Sequence, residues 1–198
     1  MPFTGLANPY DIVHTGPAKT TIIKDSVSTN TKNNGIDLAV KSGRVTQLSS
    51  GTVVDGEKSS IVFQELTNGA HRALIHISEA KAPTSYEFKI IGAARLKLNE
   101  EGSVDAYDAK DNIIAVIKKP WAKDKNNQEI PTFFTIENTT LTQVVEHTNN
   151  TYTYGITADP FWVPAWVAIR ACMAHPVCRE VAKQGTKAAI KWAMEHLF

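Results

Sequence analysis

Cys172 and Cys178 are the only cysteines in the chain and stand six positions apart. Along an unbroken helix that separation is about 9 Å of rise, whereas a disulfide needs Cα atoms within about 7 Å. Pro176 lies between them, removes a helix hydrogen bond and bends the chain. The bend predicts an intramolecular disulfide, and an even local pair suits an oxidising compartment. Two buried free thiols in a small helical core are the alternative. His175 is adjacent, but a cysteine nucleophile needs a reduced thiol and a histidine placed by the fold. Stapling is therefore expected here, and catalysis is not.

The other constellations read the same way. His71 and His76, with Glu65 and Glu79 nearby, are five apart on an expected strand and so face opposite sides. They do not form one metal site. Asp105, Asp108 and Asp111 recur at every third position, but Lys110 intrudes and no glycine bend or closing glutamate follows, as a calcium loop requires. These residues, like Asp124 to Asn127, are expected to accept backbone hydrogen bonds in turns. There is no GxSxG-like elbow. Gly35, Gly43, Gly51 and Gly56 lack phosphate-loop spacing. No catalytic residue, metal ligand or cofactor site is expected, and the chain is not read as an enzyme.

The residues that must be positioned belong to two kinds of segment, and the change falls at Thr157-Ala158-Asp159-Pro160. Before it, short alternating runs such as Tyr86 to Ile90, Ala94 to Leu98 and Ser103 to Tyr107 are separated by Asn, Asp and Gly. Strands at this spacing, with no helical pattern between them, predict an antiparallel β-sandwich-like domain or open barrel. After it come three of the four tryptophans and both cysteines. The expected layout is a loose arm over 1–17, a β domain over 18–158 that folds by itself, and a helical hairpin over 159–198. Ser28 to Gly35 is expected to be a turn-rich loop. In the tail, Ile169, Met173, Val177, Val181, Ala188 and Trp192 form one apolar stripe at helical spacing. Lys183, Lys187 and Lys191 step by four on another face, which Ile190 and Met194 interrupt. Trp162, Trp166 and Trp192 with the three lysines are the candidate contacts to a membrane or partner. The stripe is expected to dock on the β domain, with at most weak contact to anionic membranes.

Net charge is +1, which lacks the basic surface of a nucleic-acid binder. No apolar run is long enough to span a bilayer. The opening MPFTGLANPYDIVHTG lacks the basic start and apolar stretch of a signal peptide.

Six motifs occur in a fixed order. They are Ala82 to Phe88, Glu101 to Val104, Lys119-Pro120-Trp121-Ala122-Lys123-Asp124, Ile130 to Thr132, Thr140 to Val145 and Thr157 to Pro160. Together they resemble a group of uncharacterised, mostly secreted β-rich proteins of actinobacteria that share a PWAKDANG-like turn and a terminal VVADP-like motif. Similar modules occur in large bacterial surface proteins. The resemblance covers roughly the middle 110 residues. This chain departs from it at Asp124 to Asn127 and at Tyr154 to Thr157. The resemblance implies export to the cell surface or medium and carries no activity, cofactor or catalytic residue. The expected function is a non-enzymatic exported module binding an unknown protein or cell-envelope component, without nucleic acid. The alternative is a membrane-active, bacteriocin-like protein with the cationic C-terminal helix as effector.

Overall fold

The computed structural model describes the backbone of residues 14–17, 19–23, 26–30, 37–41, 44–48, 51–56 and 58–198, and the side chains of Thr46, 53–56 and 58–198. Most of the expected arm and the Asn/Gly part of the 28–35 loop lie outside the described residues. In chain order the strands are β1 (His14–Pro17), β2 (Lys19–Ile23), β3 (Ser26–Asn30), β4 (Asp37–Lys41), β5 (Arg44–Leu48), β6 (Gly51–Asp55), β7 (Ser59–Leu66) and β8 (His71–Ile77). Then come β9 (Ser85–Ile91), β10 (Arg95–Leu98), β11 (Val104–Tyr107), β12 (Ile113–Ile117), β13 (Trp121–Lys123), β14 (Thr132–Glu137), β15 (Thr140–Val145), β16 (Ile156–Asp159) and β17 (Phe161–Pro164). Three helices follow: α1 (Ala165–Met173), α2 (Pro176–Ala182) and α3 (Thr186–His196).

The strands form two antiparallel sheets. The larger runs β10-β11-β12-β17-β8-β7-β6-β5, with β1 also on β7 and β16 on β8 and β13; the smaller runs β14-β15-β9-β4-β3-β2. The smaller sheet shows the alternation that a sheet with one wet face requires. In β9, Tyr86, Phe88 and Ile90 are buried while Glu87 and Lys89 are exposed. Phe88, Ile90 and Leu141 from this sheet meet Phe63, Ile75 and Ile77 from the larger one in a shared core. The protein is mainly β, a sandwich-like arrangement with helices at its C-terminal part.

A second core lies on the outer face of the larger sheet. Leu66, Val116, Phe161 and Val163 pack there against Val167, Ala168, Ile190 and Met194 of the helices. The larger sheet is therefore covered on both sides around β8 and β17. This explains why β8 is buried at His71 to Ile75 without a break and why Phe161-Trp162-Val163-Pro164 is buried throughout.

Four expectations need correction. Phe161 to Pro164, assigned to the helical tail, is a strand. A strand covered on both faces reads as a continuous apolar run, which periodicity cannot tell from a helix segment. β16 and β17 lie end to end along β8, pairing Ala158 with Ile75 and Phe161 with Arg72. Pro160 between them has no N–H to give, and its carbonyl accepts the Ala73 N–H at 3.0 Å. The helical part is thus continuous with the sheet. Likewise His14–Pro17, placed in the loose arm, pairs with β7, and Ser26–Asn30, partly read as loop, pairs with β2. The helical segment holds three helices where two were expected.

The turns follow their side chains. Asp108 Oδ1 accepts the N–H groups of Lys110 and Asn112, both at 2.9 Å. Asp124 accepts those of Asn126 and Gln128 at 2.9 Å and of Thr153 at 3.0 Å. Gly69 in the β7–β8 hairpin has φ +87°, and a Cβ there would meet Val167 Cγ2 at 3.0 Å. Glycine lets this turn press against α1.

Candidate functional site

The break between α1 and α2 is local chemistry. A residue preceding proline is pushed out of the helical region, and His175 before Pro176 is extended at φ −110°, ψ 124°. Proline is tolerated at the first helical position, so α2 restarts at once. The turn brings the Cα atoms of Cys172 and Cys178 to 5.0 Å, and the sulfurs are bonded. The buried disulfide lies beneath a corner whose outer side is apolar. Trp166, Met173 and Val177 are 39%, 42% and 54% exposed. Trp166 and Met173 are two turns apart on the same side of α1. Arg170 lies between them, its guanidinium 5.5 Å from the Trp166 ring centroid. Arg179 is exposed on α2, and Lys183 at its end pairs with Glu180 at 2.9 Å.

The second feature is a cleft between α3 and the outer face of β10 to β12. Its volume is about 610 Å³, and Ile113, Val116, Ile190 and Met194 give it an apolar floor. Lys97, Lys118, Lys119, Lys187 and Lys191 line it together with Glu101, Asp105 and Glu195. α3 buries Ala189, Ile190, Ala193 and Met194, which leaves Lys187 and Lys191 at the border of that stripe. The Lys118 ammonium donates to the main-chain oxygen of Phe198, tying the end of the helical layer to the sheet. Gly102, at φ +99°, closes the β10–β11 turn onto the Lys119 stem, where a Cβ would come within 3.3 Å of Cγ.

Behind the cleft sits a buried charge cluster. Asp159 is 1% exposed. Burial pushes its carboxyl up to about 7, against the opposing pull of Arg72, the Trp121 indole and Lys118. Trp121 is its partner across the β13–β16 pair, but the indole N–H and Asp159 Oδ2 fall outside hydrogen-bonding geometry. Arg72 Nε donates to Gln64 Oε1 at 2.8 Å. Burial lowers the Lys118 ammonium, and Asp159 partly restores it. His71 stacks on Trp162 at 5.5 Å, and burial pushes it down to about 4. A raised carboxyl is a pattern of acid–base sites. Asp159 is sealed from solvent, however, and the charges that act on it are Arg72 and Lys118.

The tail residues singled out in the sequence separate into three places. Trp162 is 1% exposed in the sandwich core, which corrects its assignment as a surface contact. Trp166 is on the open corner. Trp192 is half-buried in the helical layer, stacked on His196 at 4.2 Å and 5.0 Å from His175. The lysine file is broken, because Gly185 at φ +121° separates α2 from α3. Lys183 is held by Glu180 outside the cleft, while Lys187 and Lys191 line it. The expected apolar stripe is also corrected: Met173 and Val177 face out, and Ile190 and Met194 form the core. His175 has no thiol beside it to activate. Asp159, Arg72 and Lys118 were not expected as a group. Their only sequence signals are Asp159-Pro160 inside an apolar run and Lys118-Lys119 directly after Ile113 to Ile117.

Among the described residues, no group of three or more His, Cys, Asp or Glu side chains is arranged to hold a metal ion. No helix among them is long and apolar enough to cross a membrane. The chain matches no family model, no curated protein and no solved structure.

Proposed function

We propose that this chain is a non-enzymatic exported β module that associates with the cell envelope, docking on an anionic membrane surface through the α1–α2 corner. The observation that carries this reading is the exposure of Trp166, Met173 and Val177 beside Arg170 and Arg179. An interfacial tryptophan sits at headgroup level, and flanking arginines meet anionic headgroups there. Each basic residue near such a surface is worth about 1 kcal/mol, and apolar burial adds about 25 cal/mol per Å². Three partly exposed side chains offer little area, so the docking is weak and reversible. The disulfide supports export, since such bonds persist in oxidising compartments. The resemblance to secreted actinobacterial proteins points the same way.

Co-sedimentation of the full chain with vesicles tests this. Binding is expected to vesicles containing phosphatidylglycerol and to be lost in pure phosphatidylcholine. Trp166→Ser/Met173→Ser should abolish it without changing the melting temperature. Equal binding by that double variant sinks the proposal. Dye release from the same vesicles would favour the effector reading, because docking alone leaves the bilayer sealed.

A further inference from the structure

We infer that the Cys172–Cys178 bond is a redox clamp on the docking corner: the oxidised chain holds α1 and α2 as one membrane-docking surface, and reduction to two thiols dismantles it. The clamp presupposes the docking proposed above, whose regulation it is. The bond joins the two helices that carry the exposed side chains. Met173 directly follows Cys172 on α1, and Val177 directly precedes Cys178 on α2. Trp166, Arg170 and Met173 come from α1, whereas Val177 and Arg179 come from α2. The surface is whole only while α2 keeps its place beside α1.

Little besides the bond keeps α2 there. It has seven residues, and Cys178 is the only buried one. Val181 and Ala182 are half-buried, while Pro176, Val177, Arg179 and Glu180 are exposed. No side chain caps its N-terminus, and Gly185 cuts it off from α3. A helix this short does not hold itself in water. The neighbouring helices have other anchors. α1 also buries Ala165, Val167 and Ala168, and α3 buries Ala189, Ile190, Ala193 and Met194. Loss of the bond therefore acts on α2 and the end of α1. Both cysteines are sealed, and the shallow seat of α2 gives the local opening through which a reductant reaches them. A thiolate of a dithiol attacks one sulfur, and the other leaves with the bonding electron pair and takes a proton. The second sulfur of the dithiol then closes on the first and releases the remaining cysteine. The dithiol becomes a cyclic disulfide, and Cys172 and Cys178 become thiols. A freed α2 must be ordered again before Val177 and Arg179 reach the lipid, which weakens docking. The chain thus docks poorly while reduced, and oxidation outside the cytosol assembles its surface.

Amide exchange and co-sedimentation with phosphatidylglycerol vesicles test this on the full chain, before and after dithiothreitol. Exchange over 176–182, measured without vesicles, should speed at least about tenfold on reduction while β8 stays protected. Loss of Arg179 from the surface alone is worth about fivefold, so the reduced chain should partition about five- to tenfold more weakly. Reoxidation with glutathione disulfide should restore binding. Cys172→Ala/Cys178→Ala should bind as weakly as the reduced chain and ignore dithiothreitol. The clamp is overturned if the reduced chain binds as tightly as the oxidised one or tighter, or if exchange over 176–182 is unchanged. Loss of protection in β8 on reduction also overturns it, because the bond would then staple the whole fold. Failure of the oxidised parent to bind would instead sink the docking proposal, and exchange over 176–182 would still decide whether the bond holds α2.

Discussion

Two buried residues with oppositely shifted proton affinities set how the protein responds to pH. Asp159 titrates near 7 in the folded chain, above its ordinary 3.8, so the folded state binds that proton more tightly than the unfolded state. Its ionisation is a penalty absent at low pH and complete above about 7. His71 titrates near 4, below its ordinary 6.5. Its protonation is a penalty absent above 6.5 that grows as pH falls toward 4. Between these limits the two slopes oppose, and His76, which burial also lowers, adds a rise of stability with pH. Asp159→Asn removes one of them. That variant should melt higher than the parent at pH 8 and match it near pH 4, read by thermal melts across the range. A lower melt at pH 8 would show that pairing with Arg72 and Lys118 outweighs burial. Little of this was legible in the sequence, because the charge on Asp159 becomes buried only when β16 is pinned between β8 and β13. The cysteine pair was legible, since proline, spacing and the disulfide reach limit together specify the bend.

At the scale of elements, the helical layer owes its position to residues that local periodicity misassigns. A stripe of Met173, Val177 and Trp192 presumes one continuous helix. His175-Pro176 and Gly185 break it twice, and each break rotates the buried face. α3 therefore rests on Ile190 and Met194, with Trp192 at the edge of the layer. Trp192→Ala should cost roughly 2 kcal/mol, about half the usual loss for a fully buried tryptophan. It should change vesicle partitioning less than melting temperature. Larger loss of partitioning than of stability would place Trp192 in the docking surface. The disulfide closes a short loop worth about 2 kcal/mol by chain entropy. Cys172→Ala/Cys178→Ala should accelerate amide exchange in α1 and α2 while β8 and β9 stay protected. Unchanged exchange across the corner would show that the helices hold it unaided.

For the whole molecule, β17 carries the chain from the larger sheet, between β12 and β8, directly into the helical part. The strand alternation in β9 and β15 made a sandwich legible, because one face of that sheet is wet. The larger sheet hid its outer partner, since β8 and β17 are apolar on both sides and resemble core of either kind. A chain cut after Pro160 would lose β17 from between β12 and β8 and expose Leu66 and Val116. It should be insoluble or melt far below the full chain. Cooperative unfolding at the parent temperature would restore the independent domain. The helical layer covers the larger sheet with its inner face and leaves Trp166, Met173 and Val177 exposed at its outer corner.

That docking claim is tested most directly by the depth of Trp166 in a bilayer. In a Trp121→Phe/Trp192→Phe background, Trp166 is the exposed indole and Trp162 stays sealed in the core. Phosphatidylglycerol vesicles carrying bromine at successive acyl positions should quench it most strongly from the shallowest position, with a blue shift on binding. Emission that neither shifts nor quenches at lipid excess would contradict envelope docking through this corner.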